Sequence, residues 1–69
     1  MKKHFYDMVL TNEAFVAEIQ TVLQDEMFYV ALHNFINVQM FGELAALTPY
    51  YINNRQLFDP ILEKYNSIS

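Results

Sequence analysis

Two pairs of side chains have a spacing that could hold a metal ion. Glu26 and His33 lie seven positions apart, and His4 and Asp7 three apart, so each pair would share one face of a helix. A zinc site takes three or four ligands, and a di-iron carboxylate bundle takes Glu-x-x-His on each of two helices. The chain has no cysteine and no Glu-x-x-His. Only a symmetric dimer, by doubling a pair, would complete such a set. The alternative is that His33 is a partly buried polar residue satisfied by Asn37 or a backbone carbonyl. That second reading is the one expected, with no metal and no cofactor.

Covalent chemistry has less to work with. A nucleophile must be a Ser, Cys, Thr or Lys activated by a neighbouring base, and the serines stand only at Ser67 and Ser69. Asp25 and Glu26 are adjacent, so on a helix they diverge by about 100° and share no proton. They read instead as acids at the start of a helix, where the dipole favours them. With Gly42 as the sole glycine, no Gly-rich loop can cradle a phosphate. The chain is therefore expected not to be an enzyme.

The charges exclude further classes. Positions 4–54 contain no lysine or arginine but six acids: Asp7, Glu13, Glu18, Asp25, Glu26 and Glu43. A body without cations cannot neutralise phosphates, so neither nucleic acid nor an acidic membrane is an expected partner. Six scattered carboxylates are also too sparse to imitate a nucleic-acid backbone. A membrane span fails over its best window, Met27–Leu47, which includes His33, Asn34, Asn37, Gln39 and Glu43. The Met1-Lys2-Lys3 start resembles the basic end of a signal peptide, but His4, Tyr6 and Asp7 interrupt any apolar run. A cytoplasmic location is expected.

The elements that would position these residues are helices. Phe5, Met8 and Val9 give positions 4–10 one apolar stripe. Thr11-Asn12 supplies a cap for an amphipathic helix over 12–24, with Phe15, Val16, Ile19, Val22 and Leu23 on one side. Extending that helix would carry Glu26 into its apolar stripe, so a break is expected at Gln24-Asp25-Glu26, with Asp25 as the next cap. A central helix over about 26–46 is apolar almost all round and therefore buried almost all round. Thr48-Pro49 and Asp59-Pro60 each read as a cap followed by a proline opening a helix. Asn53-Asn54 reads as a turn between them, and residues 67–69 as a frayed tail. Phe15, Ile19, Phe35 and Leu62 are expected in the core. The expected fold is all-α, one domain over 1–69, a small bundle of three or four helices completed by homodimerisation.

Hydrophobic residues make up 54% of the 69-residue chain, against 17% charged. So short a chain buries only about 60% of the surface it exposes when unfolded, so an apolar excess has to find cover elsewhere. The expected function is a small acidic interaction module, an adaptor or inhibitor that binds and modulates a larger, basic, cytoplasmic protein. Its expected contact residues are Met27, Tyr29, Met40, Phe41, Tyr50 and Tyr51, with Glu43, Asp25 and Glu26 setting orientation and on-rate. The alternative is a self-assembling structural subunit, whose interface would be larger and more apolar. A metal or small-ligand bundle is the third reading. Elemental analysis of untagged protein should find no stoichiometric metal, and a bound metal lost on His33→Ala would reverse that expectation.

Overall fold

Single asparagines end one helix and start the next at two of the four joints. Asn12 donates its backbone N–H to the Met8 carbonyl at 2.9 Å, and its side chain accepts from the Phe15 N–H at 3.0 Å. Asn54 sends its side-chain amide back to the Tyr50 carbonyl at 2.8 Å, while its own carbonyl accepts from the N–H groups of Leu57 and Phe58. Unpaired backbone groups at helix ends are costly, and one short polar residue here serves both ends. The computed structural model describes residues 2–68. They form five helices: α1 (Phe5–Thr11), α2 (Glu13–Val22), α3 (Glu26–Val38), α4 (Phe41–Asn53) and α5 (Arg55–Ser67). No strand occurs among the described residues, and none of the helices is long and apolar enough to cross a membrane.

The helices pack as α1 on α2, α2 on α5, α3 on α4 and α4 on α5, in a body of 29 × 21 × 18 Å. Its centre is aromatic. Phe5 of α1 stacks on Tyr51 of α4 at a centroid distance of 4.2 Å and meets the Phe15 ring of α2 edge-on at 5.8 Å. It also lies 5.5 Å from Phe58 of α5, which in turn stacks on Phe28 of α3 at 5.5 Å. Every helix thus contributes a ring to one connected cluster. Leu32, Leu47 and Ile19 fill the space around it and are fully buried. Phe15, Ile19 and Phe35 are core residues as expected, whereas Leu62 is half-buried against the core.

The all-α expectation holds, but five helices form where three or four were expected. The main difference is at Gln39. The continuous helix expected over 26–46 is two helices, because Gln39 adopts the left-handed conformation (φ 57°) and ends α3. Its N–H bonds the Phe35 carbonyl at 2.8 Å and its side-chain amide the Ile36 carbonyl at 3.2 Å. Those bonds help offset the roughly 1–2 kcal/mol that this backbone region costs a residue with a Cβ.

The two prolines are a second correction. Pro49 and Pro60 lie inside α4 and α5 rather than opening new helices. Both are exposed, and each, lacking an N–H, leaves the carbonyl four residues earlier, that of Ala45 or Gln56, without its usual intrahelical partner. The break before Asp25 does form. The Asp25 carboxylate accepts from the N–H groups of Met27 and Phe28 at 2.9 and 3.1 Å. Ser67 belongs to α5 rather than to a frayed tail; Met1 and Ser69, at the ends of the leader-like start and of that tail, lie outside the described residues.

Because Phe5 touches rings from three other helices, Phe5→Ala should destabilise the fold by about 3–5 kcal/mol. Urea unfolding followed by circular dichroism checks this. A loss below about 1 kcal/mol would mean that the cluster does not hold the helices together.

Candidate functional site

From Met27 to Asn53 the exposed surface carries no charge. On α3 the exposed residues are Met27, Tyr29, Val30, Asn34, Asn37 and Val38. The joint exposes Gln39 and Met40, and α4 exposes Phe41, Gly42, Ala45, Ala46, Pro49, Ile52 and Asn53. An ordinary surface is about 25–35% Lys, Arg, Asp and Glu, so fifteen exposed positions should include about four or five. Here there are none. Glu43 and His33 within this span are half-buried. Helix geometry explains why the face is open. Phe28, Leu32 and Phe35 turn one side of α3 inward, and Leu47 with Leu44, Tyr50 and Tyr51 does so for α4. Among the described residues, no element covers the opposite sides of the two helices.

The expected contact residues divide accordingly. Met27, Tyr29, Met40 and Phe41 are exposed, and Phe41 is 83% accessible. Met27 lies at the start of α3 and Met40 just past its end, about 20 Å apart along the helix axis. They mark two ends of one surface rather than a single spot. Glu43, Tyr50 and Tyr51 are half-buried. Tyr50 leans on Phe28 at 5.6 Å, and Tyr51 stacks on Phe5 with its hydroxyl donating to Asp59 Oδ1 at 2.9 Å. Both tyrosines therefore pack with the core. Sequence reasoning did not pick out Val30, Val38, Ala45, Ala46, Pro49 and Ile52. The absence of Asp, Glu, Lys and Arg from 27–53, Glu43 excepted, was the signal that could have found them.

His33 does not meet Glu26 or Asn37. Its Nε2 lies 3.3 Å from Gln20 Oε1, a donor to it when that nitrogen carries the proton, and its ring lies 4.3 Å from that of Tyr29. Among the described residues no three of His, Cys, Asp and Glu come close enough together to hold a metal ion. Open grooves lie between the helices, and two of them are the following. One, of about 680 Å³, has Phe5, Tyr51 and Leu62 among its walls, and the Lys2–Glu63 and Arg55–Asp59 pairs stand on its rim. The other, of about 700 Å³, runs between α1, α2 and α3 past His33 and Gln20. No family model, no curated protein and no solved structure matches this chain.

The charges gather on the other side. All four cations lie on the N-terminal segment and α5. Lys2, Arg55 and Lys64 pair with Glu63, Asp59 and Glu18, and Lys3 donates to the Thr11 hydroxyl at 2.9 Å. The Glu18 carboxylate, which ties α2 to α5, accepts from Lys64 Nζ at 2.7 Å and from the Tyr65 hydroxyl at 2.8 Å. The Lys64 bond, then the Tyr65 bond, hold the Glu18 carboxyl below the usual carboxylate range. The Glu18 bond raises both Lys64 and Tyr65. Burial, followed by the bond to Asp59, pushes the Tyr51 hydroxyl up.

A carboxyl lowered on folding contributes stability that is present above its unfolded value and lost as pH falls through the lowered one. The raised Lys64 and Tyr65 have the opposite sign, their contributions being lost as pH rises through the raised values. Glu18→Gln should therefore lower the urea midpoint at neutral pH, and the gap to the parent should close in acid. A gap that stays constant with pH would show that the ion pair adds nothing.

Proposed function

We propose that this chain is a small, non-enzymatic interaction module of the cytoplasm, which works by laying the outer face of its α3–α4 hairpin against a protein surface. The observation that carries the reading is that none of the fifteen exposed residues from Met27 to Asn53 is an Asp, Glu, Lys or Arg. Interface cores are depleted of charged residues and enriched in Met, Tyr and Phe, and this face exposes Met27, Tyr29, Met40 and Phe41. Burying a side chain such as that of Phe41 on contact contributes about 1.5–3 kcal/mol.

The acids give the module its polarity. Asp7, Glu13, Asp25, Glu26 and Glu43 take part in no ion pair among the described residues. Asp25 and Glu26 at the start of α3 and Glu43 in the first turn of α4 stand next to the apolar face in the chain with one sign of charge and favour basic protein surfaces as a regulatory target, raising the encounter rate more than the affinity. The second reading, a self-assembling subunit, is favoured by the same lack of charge, because identical surfaces meet without repulsion there.

The test is site-specific photo-crosslinking in the source cells. A photoreactive residue at Met40 or Phe41 should give discrete protein adducts, while one at Glu63 gives far less. Equal labelling at all three positions, or no discrete adduct from either α3–α4 position, would contradict the module reading.

A further inference from the structure

Helices α2 and α3 are neighbours in the chain but not among the pairs that pack closely. An open seam runs between them. One part of it is the groove of about 700 Å³ past His33, the other a groove of about 280 Å³, and Gln20 lines both. Glu13, Val16, Ala17 and Gln20 recur at three- and four-residue spacing on α2, as Tyr29, His33 and Ile36 do on α3. Each set therefore lies on one face of its helix, and the two faces are the walls. The seam is distinct from the outer face of the α3–α4 hairpin. Met27, Val30, Asn34 and Val38 stand about 90° or more round α3 from the middle of the Tyr29–His33–Ile36 stripe.

Its floor is apolar at two levels, Val16 with Ile36 and Leu23 with Phe28. Seven residues of helix separate those levels by about 10 Å, or two turns. Between them the Gln20 side chain bridges the walls, its Oε1 3.3 Å from His33 Nε2 and its amide donating to the Val16 carbonyl at 3.2 Å. Acids line the seam only at its ends, Glu13 at one and Asp25 with Glu26 at the other, and neither groove is lined by a Lys or Arg. None of the three acids is in an ion pair among the described residues. Because α2 and α3 run in opposite senses, each end also holds one helix N-terminus and one C-terminus, whose partial charges offset each other. The acids therefore set the sign. The groove beside α5 differs, with Lys2, Lys3 and Arg55 among its lining residues.

We propose that this seam receives a basic, amphipathic helix of a partner protein, with apolar side chains about two turns apart over the floor and a Lys or Arg at each end, facing Glu13 and Glu26. A helix brings its backbone groups already paired. An extended peptide would need partners for its own, and the polar side chains midway along the walls, Gln20 and His33, are bonded to each other. The apolar floor supplies area, and the acids at the two ends select a cationic partner and fix its register. This contact goes beyond the hairpin face and does not rest on it.

The probe is a displayed library of random peptides about four helical turns long, selected against the full chain. Enriched sequences should combine apolar residues at i and i+7 with Lys or Arg at both ends. A synthetic copy of the most enriched one should shift the amide resonances of Ala17, Gln20 and His33 and leave those of Phe41 and Ile52 in place. Ala17→Arg, an exposed change inside the seam one turn from Glu13, should weaken its binding about tenfold or more by setting like charges together, with a parental helical spectrum. Glu13→Gln combined with Glu26→Gln should remove the preference for basic ends, and Phe41→Asp should leave binding unchanged. The proposal is overturned if no sequence is enriched, if the enriched ones lack basic ends, or if the shifts fall on the α3–α4 face. Undiminished binding by folded Ala17→Arg would overturn it too. So would seam resonances that move when the chain alone is concentrated, because the occupant would then be a second copy.

Discussion

The fold depends on one cluster of aromatic rings. Nine of the eleven phenylalanines and tyrosines join in it, two each from α1, α3, α4 and α5 and one from α2. Rings bury much area for few rotatable bonds, so a chain of 69 residues gains a core without a disulfide. No helix here reaches 14 residues, and helices so short are marginal alone. Each is therefore held by the ring or rings it contributes. The two aromatic residues outside the cluster, Tyr29 and Phe41, both lie exposed on the α3–α4 hairpin.

That division separates stability from contact. With Phe5, Phe15, Phe28 and Phe58 each 0–1% accessible, the core closes inside a single chain. The hairpin's outer face is then not needed for folding, and its apolar residues require another explanation. Charge is divided along the same line. Ion pairs clasp the N-terminal segment, α2 and α5, where Lys64 reaches Glu18 and Lys2 reaches Glu63, while past Glu26 the single acid or cation of α3 and α4 is the half-buried Glu43. One half of the molecule carries paired charges on its surface. The other exposes apolar and uncharged polar side chains.

Much of this was legible in the residue order. Asn12 and Asp25 cap where their types suggest, and the apolar stripes of α1 and α2 turn inward at Phe5, Met8, Phe15 and Ile19. The helix end at Gln39 was not, since a glutamine in the left-handed region carries none of the glycine or asparagine signal that usually marks such a stop. Pro49 and Pro60 misled for the converse reason. Proline is over-represented at the first helical position, but these two sit inside α4 and α5 at exposed positions. Merging α3 and α4 into one element hid the contact face. Once the chain folds back at Gln39, the two halves shield each other's inner sides, and residues that seemed apolar all round separate into a core side and an outer side. Tyr50 and Tyr51 go inward, Met40 and Phe41 outward.

The central claim is that the core is complete in one chain and that the α3–α4 face is a separate contact surface. Amide hydrogen exchange followed by mass spectrometry as the protein is diluted tests it most directly. Peptides from α1, α2 and α5 should keep their protection at every concentration, while protection over Phe41–Asn53 should fall as contacts on that face dissociate. A uniform loss of protection across all five helices would contradict the account, because it would mean that the aromatic core cannot stand without its neighbour.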